Sequence, residues 1–281
     1  MNTELHYGLM GNPIAHSKSP LIFNYFNQAY QMTMPYEAIL VPVMGFTDAL
    51  ISFQQKGGQG LNITVPFKQQ AFLLMDELGP YAQQAGAVNT IIFKTKGTRI
   101  GENTDGLGFI RDFTQNLQGK IQDQRLLIIG GGGAARGILG PILNEKPESV
   151  VITNRTLSKA QTIAEDFSSL GGLHVKSYQE IAKQEYDLII NATSASLLDT
   201  LPPLTSTLLR TKPWCYDLAY GNQATTFLLW AKQNGAGKCN DGLGMLVEQA
   251  AESFFLWHNL RPKTADVIRN LRLLAQKELV F

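Results

Sequence analysis

Two side chains suited to proton transfer stand out in the first half of the chain, Lys68 and Asp105. Lys68 follows a predicted strand that Pro66 ends, and it lies at the start of the next predicted helix. Cations are disfavoured there, because the N-terminal end of a helix dipole is positive. The position therefore indicates either a solvated surface lysine or a lysine placed for a function.

Asp105 follows Asn103 and Thr104, directly before the next predicted helix. It can be an ordinary N-cap. If Lys68 and Asp105 both end neighbouring strands, they lie where open α/β sheets bind their ligands. A lysine–aspartate pair at such a place can transfer a proton to or from an alcohol.

Other polar residues are suited to holding a small substrate. Ser19 precedes Pro20 and makes a good N-cap, whereas capping does not explain Ser17. Two hydroxyls beside a helix start can hold a carboxylate without a cation. Tyr220, at the end of a predicted strand, and Gln249, the polar exception on an apolar helix, can both face a ligand.

A second constellation is the glycine run 130–133, which follows the apolar strand Leu126–Ile129. Gly130, Gly132 and Ala135 match the G-x-G-x-x-A pattern of dinucleotide-binding loops. The glycines allow a sharp turn, and the helix that follows offers free N–H groups to an anion. The stretch predicts a pyrophosphate site, although a single match can also be only a tight turn.

The residues after the second strand of this unit indicate the type of dinucleotide. NAD sites carry an acidic residue about 20 residues beyond the glycine loop. Here the chain has Asn154, Arg155 and Thr156, with Lys159 soon after. The two cations can neutralise a 2′-phosphate, and the Thr156 hydroxyl can donate to it. A helix N-cap and a solvated arginine are the alternative; without the acid, NADP is the predicted cofactor. The small-residue loop around Thr193 has room for the nicotinamide ribose.

The alternation of strands and helices predicts the α/β class, and 281 residues favour about two domains. Strands are predicted at residues 5–10, 36–43, from 60, 85–93, 126–129, 148–154, 186–190 and 214–220. Helices are predicted at 46–55, from 68, 107–117, after 134, after 241 and at 264–277.

Composition and charge limit the classes of function and partner that we expect for this chain. A net charge of +1 gives no electrostatic reason to expect nucleic acid or an anionic membrane as partner. No apolar run approaches membrane-spanning length, and the start lacks the pattern of a signal peptide. His16 has no second ligand at a sensible spacing, so we expect no metal site. Two cysteines cannot build a disulfide framework, and the cytoplasm is the expected compartment.

Taken together, several motifs resemble the shikimate dehydrogenase family across essentially the whole chain. They are residues 11–20, 62–68, 86–90, 103–106, the glycine loop, 154–156, 191–194 and 242–249. Their order and spacing are specific, although each is weak alone. The resemblance implies an α/β substrate-binding domain, 1–105 plus 242–281, completed by C-terminal helices. It implies a Rossmann-type NADP domain, 106–241, inserted into it.

The resemblance also implies roles for single residues. The substrate carboxylate would be bound by Ser17, Ser19 and Tyr220. The ring hydroxyls would be surrounded by Thr64, Lys68, Asn89, Asp105 and Gln249. The cofactor would be contacted by Gly130, Gly131, Gly132, Gly133, Ala134, Asn154, Arg155, Thr156, Lys159, Thr193, Leu218 and Gly242. Gly131 stands where the family usually has alanine, and the position of Leu218 varies in the family.

The implied reaction is the reversible, NADPH-dependent reduction of 3-dehydroshikimate to shikimate in aromatic amino-acid precursor synthesis. The implied partner is a small-molecule substrate; the sequence leaves the oligomeric state open, with a homodimer as one candidate. One alternative is an NAD-preferring quinate/shikimate dehydrogenase, against which the basic loop at Arg155 argues. The other is a non-catalytic dinucleotide-binding regulator of the same fold, against which the retention of both Lys68 and Asp105 argues.

Overall fold

The computed structural model describes residues 6–277, which form two compact units. The first unit holds the described residues up to Gly108 together with Val247–Val267. The second unit holds Phe109–Leu246 and the described residues from Ile268 onward. The chain therefore passes between the units three times.

The first unit is built on a six-stranded mixed sheet. Its strands are β1 (His6–Gly11), β2 (Tyr36–Leu40), β3 (Gly58–Ile63), β4 (Glu77–Leu78), β5 (Thr90–Phe93) and β6 (Arg99–Glu102). Its first four helices are α1 (Ser19–Tyr30), α2 (Phe46–Gln55), α3 (Lys68–Phe72) and α4 (Pro80–Ala85). The strand order is β2-β1-β3-β5-β6-β4, and β5 is antiparallel to both of its neighbours.

Periodic apolar residues explain how the helices pack in this unit. In α2, Phe46, Leu50 and Phe53 are spaced four and three residues apart and are all buried. Such spacing puts side chains on one face of a helix, toward the core. In β3, Leu61 and Ile63 are buried as well. The sheet and helices thus hold the ends of β3 and β6, where Lys68 and Asp105 follow.

The second unit is built on a six-stranded sheet that is parallel throughout. Its strands are β7 (Arg125–Ile129), β8 (Ser149–Thr153), β9 (Leu173–Val175), β10 (Leu188–Asn191), β11 (Trp214–Asp217) and β12 (Lys238–Asp241). The later helices of the chain are α5 (Asp105–Arg111), α6 (Gly133–Asn144), α7 (Leu157–Asp166), α8 (Tyr178–Ile181), α9 (Thr226–Gln233), α10 (Leu243–His258) and α11 (Ala265–Lys277). Of these, α5, α10 and α11 each have residues in both units.

The strand order of the second sheet is β12-β11-β10-β7-β8-β9. Counted within the unit, this is the 3-2-1-4-5-6 order of the Rossmann fold. The central strand is apolar throughout, and Leu126, Leu127, Ile128 and Ile129 are fully buried, as expected of a parallel strand covered on both faces. The α/β fold class predicted from the sequence is confirmed.

Two local predictions were wrong. The strand predicted at 85–93 contains only Thr90–Phe93, because α4 occupies Pro80–Ala85 and Gly86 ends that helix with a φ of 61°. Glycine adopts this left-handed conformation without steric cost. The helix predicted at 107–117 is α-helical only to Arg111 and continues as a π-helix from Asp112 to Asn116.

The C-terminal segment, which the resemblance assigns to the substrate-binding domain, is divided between the units. Val247–Val267 lie in the first unit, and the residues before them and the described residues from Ile268 lie in the second. Leu271 is fully buried there, and Arg272 Nη1 donates to Asp241 Oδ2 at 2.7 Å. This ion pair joins α11 to the last residue of β12.

Candidate active site

Lys68 and Asp105 form an ion pair in the first unit. Lys68 begins α3 after a turn in which the Phe67 N–H donates to the Thr64 carbonyl at 3.0 Å. Lys68 Nζ lies 2.5 Å from Asp105 Oδ2, and their side chains are 26% and 12% exposed. A largely enclosed pair at this distance can exchange a proton with a bound alcohol or ketone.

Asn103 explains why the Asp105 carboxylate is available for this pair. The Asp105 backbone N–H donates to Asn103 Oδ1 at 3.1 Å, and Asn103 Nδ2 donates to the Ala87 carbonyl at 3.0 Å. The Asn103 side chain thus satisfies the first N–H of α5, and both Asp105 oxygens have side-chain partners. These partners are Lys68 and Asn89.

Asn89 holds the second oxygen of this carboxylate. Its Nδ2 donates to Asp105 Oδ1 at 2.8 Å, and its Oδ1 accepts from the Thr104 backbone N–H at 2.9 Å. A backbone N–H can only donate, so this contact fixes which end of the amide is oxygen. Asn89 is 2% exposed, and it therefore gives Asp105 a donor that water cannot easily replace.

Gln249 and Thr104 border the same group. Gln249 Oε1 lies 3.4 Å from Asn89 Nδ2 and 3.5 Å from Thr104 Oγ1. Thr64 lies at the end of β3, and its backbone N–H donates to the Met10 carbonyl at 3.0 Å. Sequence reasoning quoted the motif containing Thr104 but did not select this residue. Its place directly before Asp105 was the available signal.

The two serines differ from their predicted local roles. Ser19 is the first residue of α1 rather than its N-cap, which is Lys18. Ser17 Oγ accepts from the Ser19 backbone N–H at 3.2 Å, so the helix start does explain Ser17. The Ser19 side chain hydrogen-bonds the Tyr36 hydroxyl. Both serines lie at one helix start, and Ser19 is linked to the buried polar residues of the unit.

Tyr220 lies in the second unit, three residues after β11. Burial raises the pKa of its phenol, and the nearby Asp241 carboxylate raises it further. Tyr220 therefore keeps its proton at neutral pH and can act as a hydrogen-bond donor.

The glycine loop of the second unit has the geometry of an anion site. Gly130 has a φ of 122°, and a Cβ there would lie 2.8 Å from the Ala192 carbonyl oxygen. By contrast, the space next to Gly132 and Gly133 is open, and both residues are exposed. Because α6 begins at Gly133, its first N–H groups face this open space. The residues present therefore fit a bound pyrophosphate.

Asn154 ties the glycine loop to the basic segment that follows β8. Its Oδ1 accepts from the Gly131 N–H at 3.2 Å, and its Nδ2 donates to the Thr156 carbonyl at 2.8 Å. Arg155 and Lys159 are exposed. The Arg155 charge acts on Tyr178, whose pKa burial raises and this charge lowers. Two exposed cations beside the loop fit the 2′-phosphate of NADP.

A buried carboxylate that sequence reasoning missed organises the other half of this site. Asp217 is fully buried and accepts from Asn191 Nδ2, Ser196 Oγ, Thr225 Oγ1 and the Ala219 N–H at 2.6–3.1 Å. Burial raises its pKa, although these hydrogen bonds lower it. The only signal of Asp217 in the sequence was its place within the predicted strand 214–220.

The loops tied by Asp217 carry two predicted cofactor residues, Thr193 and Leu218, and a third, Gly242, packs against Leu218. The Thr193 hydroxyl donates to Asn191 Oδ1 at 2.8 Å, and the Leu218 N–H donates to the Asn191 carbonyl at 2.9 Å. Gly242 packs so closely on the Leu218 carbonyl that a Cβ would collide with it.

Family profiles match three separate segments of this chain. The profile described as "Shikimate dehydrogenase substrate binding domain" matches residues 9–91, and "Shikimate / quinate 5-dehydrogenase" matches residues 112–200. "Shikimate 5'-dehydrogenase C-terminal domain" matches residues 242–272. The shikimate dehydrogenase (NADP(+)) of Nitrosospira multiformis is 48% identical over 266 residues, covering 95% of this chain and 96% of the relative. The chain belongs to the shikimate dehydrogenase family.

Solved structures agree with this family. The crystal structure of an Ael1 enzyme from Pseudomonas putida has a TM-score of 0.91 and 41% identity, covering 95% of this chain and 98% of that one. Shikimate 5-dehydrogenase from Thermus thermophilus, in complex with NADP(H) and shikimate, has a TM-score of 0.84 and 30% identity. That match covers 96% of this chain and 99% of the other.

Family membership confirms the resemblance drawn from the motifs, together with the predicted class of enzyme, an NADP-dependent oxidoreductase. Within residues 6–277, no helix has both the length and the apolar character required to cross a bilayer. The same residues contain no group of three or more His, Cys, Asp or Glu side chains arranged to hold a metal ion.

Proposed function

We propose that this chain catalyses the reversible, NADPH-dependent reduction of 3-dehydroshikimate to shikimate. The observation that carries the proposal is the 2.5 Å contact between Lys68 and Asp105, held by Asn89 inside the unit that contains the matched substrate-binding segment. The relatives of this chain at 46–48% identity are NADP(+) shikimate dehydrogenases.

The second unit holds the cofactor. The open N-terminal end of α6 accepts the pyrophosphate, and the basic segment with Arg155 and Lys159 accepts the 2′-phosphate. The bound nicotinamide supplies the hydride of the reduction. Asn154 keeps the two phosphate subsites in register, because its side chain bonds to both the glycine loop and the basic segment.

The first unit supplies the proton. Lys68 donates a proton to the oxygen of the ring ketone as its negative charge develops, and it takes the proton back in the reverse direction. Asp105 keeps Lys68 in place and stabilises its charge through the 2.5 Å contact. Because a pair this close titrates as a unit, the acid of the reaction is the pair rather than either residue alone.

The remaining predicted residues bind the substrate in this proposal. Thr64, Asn89 and Gln249 contact the ring hydroxyls, which explains why polar side chains collect beside Lys68. Ser17 and Ser19 hold the carboxylate, and their position at the start of α1 supports this role. Tyr220 supplies a further donor to the substrate carboxylate in this proposal, and burial keeps its phenol protonated.

The test is turnover by the full chain with NADPH or NADH and either 3-dehydroshikimate or 3-dehydroquinate. We expect fast loss of NADPH absorbance with 3-dehydroshikimate and slow loss with NADH. Equal rates with the two cofactors would favour the NAD-using alternative. NADPH binding without turnover of either substrate would favour a non-catalytic regulator.

The proposal also includes a cytoplasmic location and assembly into a homodimer. Cys215 and Cys239 are free thiols, which fits a reducing compartment. Light scattering on the purified chain tests the dimer, which predicts twice the 31.0 kDa mass of one chain.

A further inference from the structure

We propose that the paired hydroxyls of Thr90 and Ser253 are positioning groups for the Lys68–Asp105 pair, acting through the carboxamide of Asn89. The inference deepens the proposed function and rests on it, since that function gives the ion pair its role. It assigns a part in the reaction to two buried residues outside the predicted site.

The Asn89 carboxamide must keep one of two orientations to serve Asp105. As observed, its Nδ2 donates to Asp105 Oδ1 at 2.8 Å. A rotation by half a turn would place the amide oxygen against the carboxylate, where two acceptors repel each other. The donors that face Asn89 Oδ1 oppose this rotation. They are the Thr104 N–H at 2.9 Å and the Thr90 hydroxyl at 2.8 Å. The Thr104 hydroxyl lies within hydrogen-bond distance of both ends of the amide and can donate or accept, so it favours neither orientation.

Thr90 has a single proton, so its other contacts decide whether it can donate to Asn89. Ser253 Oγ lies 2.8 Å from Thr90 Oγ1, and either hydroxyl can be the donor of this contact. When Ser253 donates, the Thr90 proton is free for Asn89. When Thr90 donates to Ser253, the Ser253 proton goes to the Gln249 carbonyl at 3.1 Å, and Asn89 loses a donor.

The contact with Asn89 Oδ1 decides for the first arrangement, because this oxygen can only accept and Thr90 must donate to it. Asn62 Nδ2 lies 3.1 Å from the Asn89 carbonyl, which can only accept, and this contact identifies the nitrogen end of the Asn62 amide. The two protons of this nitrogen are shared between that carbonyl, Thr90 Oγ1 at 3.1 Å and Ser253 Oγ at 2.9 Å. Asn62 thus supplies a donor to the hydroxyl pair, whose own protons can be donated onward.

Tyr36 completes the chain of donors. Its hydroxyl donates to Asn62 Oδ1 at 2.8 Å. Burial raises the pKa of this phenol well above its ordinary value of 10.0, so Tyr36 keeps its proton. The donors run from Tyr36 through Asn62 and the hydroxyl pair to Asn89, and from there to Asp105.

Burial makes these contacts consequential. Thr90 and Ser253 are both 0% exposed, so water cannot replace a lost hydroxyl. The closest hydroxyl contacts come from β5 and α10, elements that lie far apart in the sequence. The hydrogen bond between Thr90 and Ser253 therefore forms only when β5 and α10 have packed together in the folded first unit.

The decisive experiment compares Thr90→Val with Thr90→Ser in the full chain. Valine keeps the volume and removes the hydroxyl, whereas serine keeps the hydroxyl and removes the methyl group. For Thr90→Val we expect kcat with 3-dehydroshikimate to fall about tenfold, because Asp105 loses its fixed donor. We expect KM for NADPH to stay within about twofold and Thr90→Ser to stay within about twofold of the parent kcat.

The opposite pattern, an active valine variant and a weak serine variant, would show that Thr90 acts by packing and would overturn the proposal. Thr153→Val is the matched control. Thr153 is also a fully buried strand threonine, but its hydroxyl has no hydrogen-bond partner within residues 6–277. This control should keep the parent kcat.

Ser253→Ala is the second variant, which decides the matter if Thr90→Val fails to fold. We expect a loss of kcat in the same direction, because the Thr90 oxygen and the Asn62 amide each lose a hydrogen-bond partner that holds the Thr90 hydroxyl in place. An unchanged kcat in Ser253→Ala would contradict the proposal. A parent chain that binds NADPH but does not reduce 3-dehydroshikimate would instead contradict the proposed function, so the two failures are distinguishable.

Discussion

Asn191 Nδ2 donates to Asp217 Oδ1 at 3.1 Å, joining the ends of the neighbouring parallel strands β10 and β11. Each residue also orders the loop that follows it. Asn191 Oδ1 accepts from the Thr193 N–H, and Asp217 Oδ1 accepts from the Ala219 N–H. One buried carboxylate thus fixes two loops that carry proposed cofactor contacts.

Replacing this carboxylate by an amide should destabilise the second unit. In Asp217→Asn an NH₂ group faces hydroxyl and N–H donors, so at least one buried donor loses its acceptor. We expect a loss of about 1–3 kcal/mol in the free energy of unfolding, measured by urea denaturation. Glu145→Gln, an exposed change of the same charge, should be nearly neutral. A stable Asp217→Asn variant with an unchanged KM for NADPH would contradict the assigned role.

The pH dependence of this effect has a definite sign. Burial raises the folded-state pKa of Asp217 above its ordinary value of 3.8, so the folded state binds its proton more tightly than the unfolded chain. The stability contributed by the protonated group is therefore lost as pH rises from 3.8 through the folded-state pKa. Urea denaturation from about pH 4 to about pH 8 should show the stability advantage of the parent over Asp217→Asn shrinking. An advantage that grows with pH would contradict this cause.

Two glycines of the loop should respond differently to alanine. Gly130→Ala forces a Cβ toward the Ala192 carbonyl at a φ of 122°, and we expect a loss of about 1–3 kcal/mol in unfolding free energy. Gly132→Ala adds a methyl group to open space, so stability should stay within about 0.5 kcal/mol. Because the pyrophosphate is proposed to fill that space, KM for NADPH should rise. A Gly132→Ala enzyme with the parent KM would place the pyrophosphate elsewhere.

Arg155 should determine the preference for NADPH over NADH. Arg155→Gln removes a charge that faces the 2′-phosphate, and we expect KM for NADPH to rise about tenfold or more. KM for NADH should change little, since NADH lacks that phosphate. Lys183→Gln, another exposed cation of the second unit, is the control. Equal changes for both cofactors would mean that Arg155 acts on the whole unit.

Local sequence patterns were sufficient to predict part of the fold and part of the candidate site. The apolar strand Leu126–Ile129 and the glycines after it predicted β7 and α6, because strand burial and helix-start chemistry depend on adjacent residues. Lys68 and Asp105 were selected by their positions after predicted strands. The structure brings these two side chains together, and their roles in the reaction stay predictions.

The residues that support the Lys68–Asp105 pair could not be predicted from local sequence patterns. Asn62 and Ser253 share a hydrogen bond across 191 positions of sequence, and no periodicity relates β3 to α10. The contact between α11 and Asp241 likewise comes from the tertiary fold and not from a local pattern. The prediction that the helix start does not explain Ser17 was wrong, because a hydroxyl can accept from the backbone N–H two residues later. Ser17 Oγ accepts from the Ser19 N–H in this way.

The proposed role of Lys68 as proton donor is tested by steady-state kinetics of Lys68→Ala with NADPH and 3-dehydroshikimate. Loss of the proton donor should lower kcat by about 10²–10⁴-fold, with KM for 3-dehydroshikimate within about threefold of the parent. Lys94→Ala, an exposed lysine of the same unit, should match the parent. A Lys68→Ala enzyme whose kcat stays within about threefold of the parent would remove Lys68 from the mechanism.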